Sequence, residues 1–246
     1  MGEIIVKEKD VVVPGEIIAK GMDFLPGMGT TRQGDNILAA RIGLVNIDGR
    51  AIRLIPLSGQ YLPRAGDTII ANVVDVNFSG WRVETNSAYS AMLNVKDATS
   101  DFVAKGADLT QYFDVGDYLV GKIVNVTTQM LIDISLRGPG LRKLGEGRIL
   151  KVASSKVPRI IGKKGSMVSM IKQATDTKII VGQNGVIWIS GEDPKGELIA
   201  VNTIKKIEEE AHIPGLTDRI KSHLEQITGR QLQLQETPDG MAHNEG

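Results

Sequence analysis

The sequence predicts a multidomain chain, β-rich at first and α+β at its end. It reads as a small N-terminal β domain (1–65), a five-stranded barrel (66–137), a C-terminal α+β domain (147–230) and a flexible tail (231–246). Three observations predict this. Short Val/Ile-rich runs broken by Pro and Gly fill the first part, as in small all-β units. A helical apolar period first becomes clear at Met167, Met170, Ile171 and Ala174, which share one face. Aromatic residues make up only 4% of the chain, which suits small aliphatic cores better than one large aromatic one.

Runs such as IIVKE, EIIAK, NILAARIGLVNID and AIRLIPL build the first domain, punctuated by VPGE, LPGMG and IDGR. The Gly-rich stretch from Met22 to Asp35 is expected to be a loop. The next unit carries five strand-like runs in about seventy residues: GDTIIANVVDV, FSGWRVET, AYSAMLNV, GDYLVGKIVNV and MLIDISL. That suits a small Greek-key barrel of the OB type. Gly66–Asp67 and Gly116–Asp117 precede strands and read as turns. GPGLRKLGEGRIL at 138–150 is a Gly-rich connection. The third unit then reads strand, short helix (155–161), GKKG, helix (166–174), strand (178–181), GQNG, strand (186–190) and long helix (195–211). An amphipathic helix follows Ile213. Asn-Gly in GQNG predicts a hairpin with a type I′ turn.

Composition excludes several functions. With 41% apolar and 24% charged residues the chain is an ordinary globular one. There is no cysteine, so disulfide scaffolds, thiolate zinc sites and cysteine nucleophiles are excluded. No apolar run approaches a membrane span. The N-terminus, MGEIIVKEKD, lacks a secretory pattern, and a cytoplasmic protein is expected. His212, His223 and His243 have no metal-ligand spacing, and DVGD reads as turn chemistry. G-x-S-x-G and G-x-x-x-x-G-K-[ST] are absent. No catalytic residue, metal or cofactor is expected.

The zero net charge hides a basic island. Residues 137–178 carry 11 Lys/Arg against 2 Asp/Glu, and none of the acids lies between Gly147 and Thr175. Such an island is a footprint for a polyanion or a solvated basic face. Inside it lies GKKG, 162–165. A G-x-x-G pattern arises about three times by chance at this glycine content, so its position has to carry the reading. Gly162 and Gly165 would allow a backbone to approach closely. The following helix N-terminus favours an anion, and Lys163, Lys164 and Arg159 add charge. Ile160, Ile161 and Val168 would line an apolar groove beside it, suiting a single strand. The competing reading is a turn bearing two solvated lysines. In the barrel, Trp81 and Phe78 read either as base-stacking platforms or as core, with Trp81 the RNA-facing candidate ahead of Phe78 and Arg82 beside it.

Taken together these motifs resemble a known family. Residues 147–211 have the element order of a type I KH domain. Residues 66–137 resemble an S-one-type OB domain in the opening Gly66–Asp67, Val73–Val76, AMLNVKD, DVGD and ISLR. VVVPGE and IPLSGQYLPRAGD look like the leading domain of the exosome's RNA-binding cap proteins. The order of the three units resembles the KH-bearing cap subunits of the archaeal RNA exosome, and GQNG followed by VIWI looks like a signature turn of that family. The resemblance implies a non-catalytic subunit binding single-stranded RNA. It also implies a trimeric cap with copies of itself, on a hexameric ring of RNase-PH-like subunits, with the N-terminal β domain as the docking part. The departures matter. Arg82 falls where an S-one-type domain usually has Phe, and Asn94 takes the place of a His. Arg82, Lys122 and Arg137 are therefore expected to act by charge near a pore. The competing class is a free-standing RNA-binding regulator of translation or ribosome assembly.

Overall fold

The computed structural model describes residues 2–101, 103–104, 106–213 and 215–230. The tail at 231–246 lies outside them. The chain forms two compact units, divided between Gly59 and Gln60.

The first unit is built from two four-stranded sheets. Its strands are β1 (Glu3–Ile4), β2 (Val11–Val12), β3 (Ile17–Lys20), β4 (Leu25–Pro26), β5 (Thr30–Gln33), β6 (Asn36–Ala39), β7 (Gly43–Asp48) and β8 (Ala51–Pro56). One sheet has the order β1-β3-β6-β5 and the other β2-β7-β8-β4. Val12, Ile18, Ile37, Val45, Ile52 and Leu54 form the core between them. The stretch expected as a loop, Met22 to Asp35, contains β4 and β5. β4 is only two residues long, and the polar β5 is held by its pairing with β6 rather than by an apolar pattern. On the outer face of the second sheet, Val11, Leu44 and Ile55 stand in one register row. Two residues along each strand, Val13, Ile42 and Leu57 continue the apolar surface, and Val11, Val13 and Ile55 are each at least half exposed.

The second unit begins with the barrel: β9 (Thr68–Asn77), β10 (Gly80–Glu84), β11 (Ser90–Asn94), β12 (Tyr118–Val126) and β13 (Ile132–Ser135), with a short helix α1 (Val95–Ala98) after β11. The ladder runs β13-β11-β10-β9-β12 and closes through β12–β13. Ile69, Ala71 and Val73 point into it, as the period of two requires. The Gly-rich connection contributes a further strand, β14 (Arg142–Lys143), paired to β12.

The α+β part comprises β15 (Arg148–Lys151), α2 (Val157–Ile161), α3 (Ser166–Thr175), β16 (Thr177–Val181), β17 (Val186–Gly191), α4 (Pro194–Glu210) and α5 (Leu216–Thr228). The sheet order is β15-β17-β16, so β16 lies at an edge. Met167, Met170, Ile171 and Ala174 of α3 are buried with Ile204, Ile207 and Ile220, which explains their helical spacing. Asp193 caps α4 by accepting from the Lys195 N–H at 3.0 Å.

Barrel and α+β part share a small core of Ile70, Val120, Leu144, Val186 and Trp188. The GQNG turn locks this joint. Asn184 is fully buried. Its amide donates to Ile70 O at 2.7 Å and to Thr85 O at 2.9 Å, and its oxygen accepts from Ile70 N–H at 3.3 Å. Beside it, the Gln183 N–H donates to Thr68 O at 2.9 Å, and the Gln183 side chain accepts from the Thr68 N–H at 2.7 Å. The β9–β10 ladder ends at the Asn72–Glu84 pair, so Asn184 continues it with side-chain groups. The expected type I′ turn is not formed. Within 182–185 only Gly185 has positive φ, at 81°, and its N–H bonds Gly182 O at 3.0 Å. This is a turn followed by a left-handed glycine, the arrangement of a bulged hairpin.

Candidate nucleic-acid interface

The GKKG loop joins α2 to α3. Gly162 ends α2 with its N–H on Pro158 O at 3.0 Å, and φ 75°, ψ 175° there is a glycine conformation. A Cβ on Gly162 would come within 2.7 Å of the Met167 backbone nitrogen. Lys164 is itself left-handed, at φ 52° and ψ 30°. Such a backbone in a lysine is uncommon and worth a functional reading. Gly165, at φ 77°, leads into α3, and no side chain caps that helix start. The Ser166 N–H is taken by Lys163 O, and this helix start lies beside the exposed Lys163 and Lys164.

The apolar side of this site differs from expectation at one residue. Ile160 is fully buried in the core with Ile171 and Ile204. It cannot line a groove, because its side chain faces inward from α2. Ile161 and Val168 are partly buried and lie against that core, so the groove surface falls to them. Arg159 is exposed on α2.

Three other cations of the basic island are paired with acids. Arg148 bonds Glu197 at 2.7 Å, fastening β15 to the start of α4. That bond, with one from the Gly191 N–H, holds the Glu197 carboxyl below its ordinary range. Lys151 reaches Glu84 of the barrel at 3.5 Å. Lys143 pairs with Asp117. Burial works against the Asp117 carboxylate, but bonds from Lys143 and from the Asp114 N–H hold it below the ordinary range. Arg159 and Lys163 have no ion pair to a described residue.

In the barrel the two aromatic candidates exchange roles. Trp81 is 0% exposed, packs edge-on to Phe113 and donates its indole N–H to Phe113 O at 2.9 Å. It is core, not a stacking platform, because strand alternation turns Trp81 and Val83 inward and Arg82 outward. Phe78, at the tip between β9 and β10, is 97% exposed. Arg82 is paired with Asp75 at 3.3 Å, which offsets its charge. Lys122 stands opposite Ser135, and Arg137 follows two residues later, both exposed. The Phe78 tip connects toward them through the Val95 N–H on Ser79 O at 3.2 Å and the Leu136 N–H on Asp97 O at 2.8 Å. Sequence reasoning gave GQNG a turn role only. The signal that could have found its docking role is an amide-bearing pair, Gln-Asn, at a tip where solvated residues would suffice.

Among the described residues, no three His, Asp or Glu side chains come together as a metal site would need, and no helix is long and apolar enough to cross a membrane.

Fold and site together define a barrel-plus-KH protein: residues 147–195 match the model of the KH domain family. Curated relatives extend the likeness over most of the chain. Exosome complex component Rrp4 of Pyrococcus furiosus is 44% identical over 227 residues, covering 91% of this chain and 86% of the relative. The protein of that name from Methanothermus fervidus is 44% identical over 222 residues, covering 90% and 97%. A crystal structure described as that of an exosome complex RNA-binding protein superposes with a TM-score of 0.63 at 36% identity, over 68% of this chain and 97% of that one. The chain belongs to the archaeal exosome complex component Rrp4 family.

Proposed function

We propose that the chain is a non-catalytic, cytoplasmic RNA-binding subunit of the archaeal exosome. Three copies cap a hexameric ring of RNase-PH-like subunits, capture single-stranded RNA and feed its 3′ end inward for 3′-to-5′ degradation. The observation that carries this reading is the GKKG loop: two exposed lysines and the uncapped start of α3 stand beside partly exposed Ile161 and Val168, on an acid-free stretch. A phosphate backbone suits the first set and bases suit the second. Gly162, Lys163, Lys164, Gly165, Arg159 and Val168 form this contact. Lys122 and Arg137 add charge on the barrel, where Phe78 replaces Trp81 as the stacking surface.

The outward apolar rows Val11–Leu44–Ile55 and Val13–Ile42–Leu57 support docking of the first unit on the ring. A row of uncovered aliphatic side chains on a sheet face marks a protein contact. Co-purification from the native cell with mass measurement tests the assembly. A complex holding ring subunits and three copies of this chain is expected. A stable monomer without a ring partner would favour the free-standing regulator. RNA degradation by the isolated chain, persisting after every other component is removed, would overturn the non-catalytic role.

A further inference from the structure

We propose that one water molecule is bound in the joint between the barrel and the KH domain, held by Asn72. On β9, Ile69, Ala71 and Val73 face the barrel interior, while Ile70 and Asn72 face outward toward the KH domain. Ile70 is covered by Val186 and Trp188. Asn72 sits at the centre of one cross-strand row, with Glu84 on one side and Tyr118 on the other. Facing that row is a second one, the Lys151–Val186 pair of the KH sheet. Between the rows lies a cavity of about 10 Å³, lined by Asn72, Glu84, Asn86, Tyr118 and Lys151, with Ile70 and Val186 as its apolar floor.

The volume is that of one water-sized sphere, the lower bound for holding a water molecule. The lining is polar, and such a molecule needs two to four polar partners. Asn72 Oδ1 has no accessible surface and no hydrogen-bond partner among the described residues. A buried amide oxygen left in this state is costly, and native structures seldom leave one so. A water donating to Asn72 Oδ1 removes that cost. It then reaches the polar groups around Glu84 and Lys151, which contact each other at 3.5 Å. A bridge of this kind holds nearly as well as a direct bond. It adds a polar tie to those that Asn184 and Gln183 already make, so that barrel and KH domain carry RNA contacts as one body.

The test is a crystal structure of the full chain at a resolution that shows ordered solvent. One water is expected within about 2.7–3.2 Å of Asn72 Oδ1 and of a second polar group in the lining. A dry cavity, or Asn72 turned to pair directly with a protein group, would overturn the proposal. Water-proton relaxation dispersion gives a second reading in solution. Asn72→Leu should remove one long-lived water relative to the parent chain, and an unchanged number would count against the bridge.

Discussion

The side-chain amide of Asn184 exchanges two hydrogen bonds with the main chain of Ile70, accepting from its N–H at 3.3 Å and donating to its carbonyl at 2.7 Å. The two residues are 114 positions apart. A third bond, to Thr85 O at 2.9 Å, completes the amide's donors. Asn184→Ala leaves these buried backbone groups without partners, and each such group costs about 1–3 kcal/mol. A loss of roughly 3 kcal/mol in urea unfolding is expected. A change below about 1 kcal/mol would mean that the apolar contact alone holds the joint.

The two glycines of GKKG should respond differently to the same substitution. Gly162→Ala puts a Cβ within 2.7 Å of the Met167 nitrogen, in a backbone region reserved for glycine. It should cost about 2–3 kcal/mol. At Gly165 nothing lies within 4 Å, so alanine there meets only the left-handed penalty of roughly 1–2 kcal/mol. Thermal melts of the pair decide this, and equal losses would contradict the packing described.

Lys163→Asp combined with Lys164→Asp should weaken single-stranded RNA binding and flatten its salt dependence. Each phosphate that the protein no longer neutralises reduces the steepness of log K against log salt by about 0.7. A salt titration reads the slope directly. Unchanged affinity and slope together would leave the lysines as solvated surface.

Phe78 and Trp81 separate stability from binding. Trp81→Ala empties a fully buried site and removes the bond to Phe113 O, at a cost of about 3–5 kcal/mol. Phe78→Ala changes an exposed tip, so stability should move by less than about 0.5 kcal/mol. Its effect should appear in RNA affinity, at about 1–3 kcal/mol if one base stacks there. No change in affinity would exclude Phe78 from the RNA path.

Acid should loosen this fold through two carboxylates. The folded pKa values of Asp117 and Glu197 are both held below their ordinary values. A lowered folded pKa gives stability that is present above the unfolded value and is lost as pH falls through the folded one. The melting temperature should therefore hold near neutrality and fall below the ordinary carboxylate range. In Glu197→Gln the neutral-pH value should drop and the acid limb should become shallower. An acid limb identical to the parent's would remove Glu197 from the account.

Much of the fold was legible because burial repeats at the period of the element. Met167, Met170, Ile171 and Ala174 were readable as a helix face, and all four are buried. The five barrel strands were readable from short β-branched runs. β4 and β5 were not, because strands of two and four residues carry too little apolar alternation to show. Trp81 and Phe78 could not be ranked from composition. One lies inside a strand whose alternation turns it inward, and the other lies just past the strand end. Ile160 was misjudged for a similar reason: in a five-residue helix either face could be the core.

By itself the sequence determined the order of the three units, the basic island and the position of GKKG between two helices. These are local properties of composition and spacing. Only the tertiary structure decided which cations remain without ion pairs, which aromatic is exposed, and what GQNG does. Those outcomes depend on partners brought together across the chain, as Asn184 is brought to Ile70, and no local pattern encodes which distant backbone group will lack a bond.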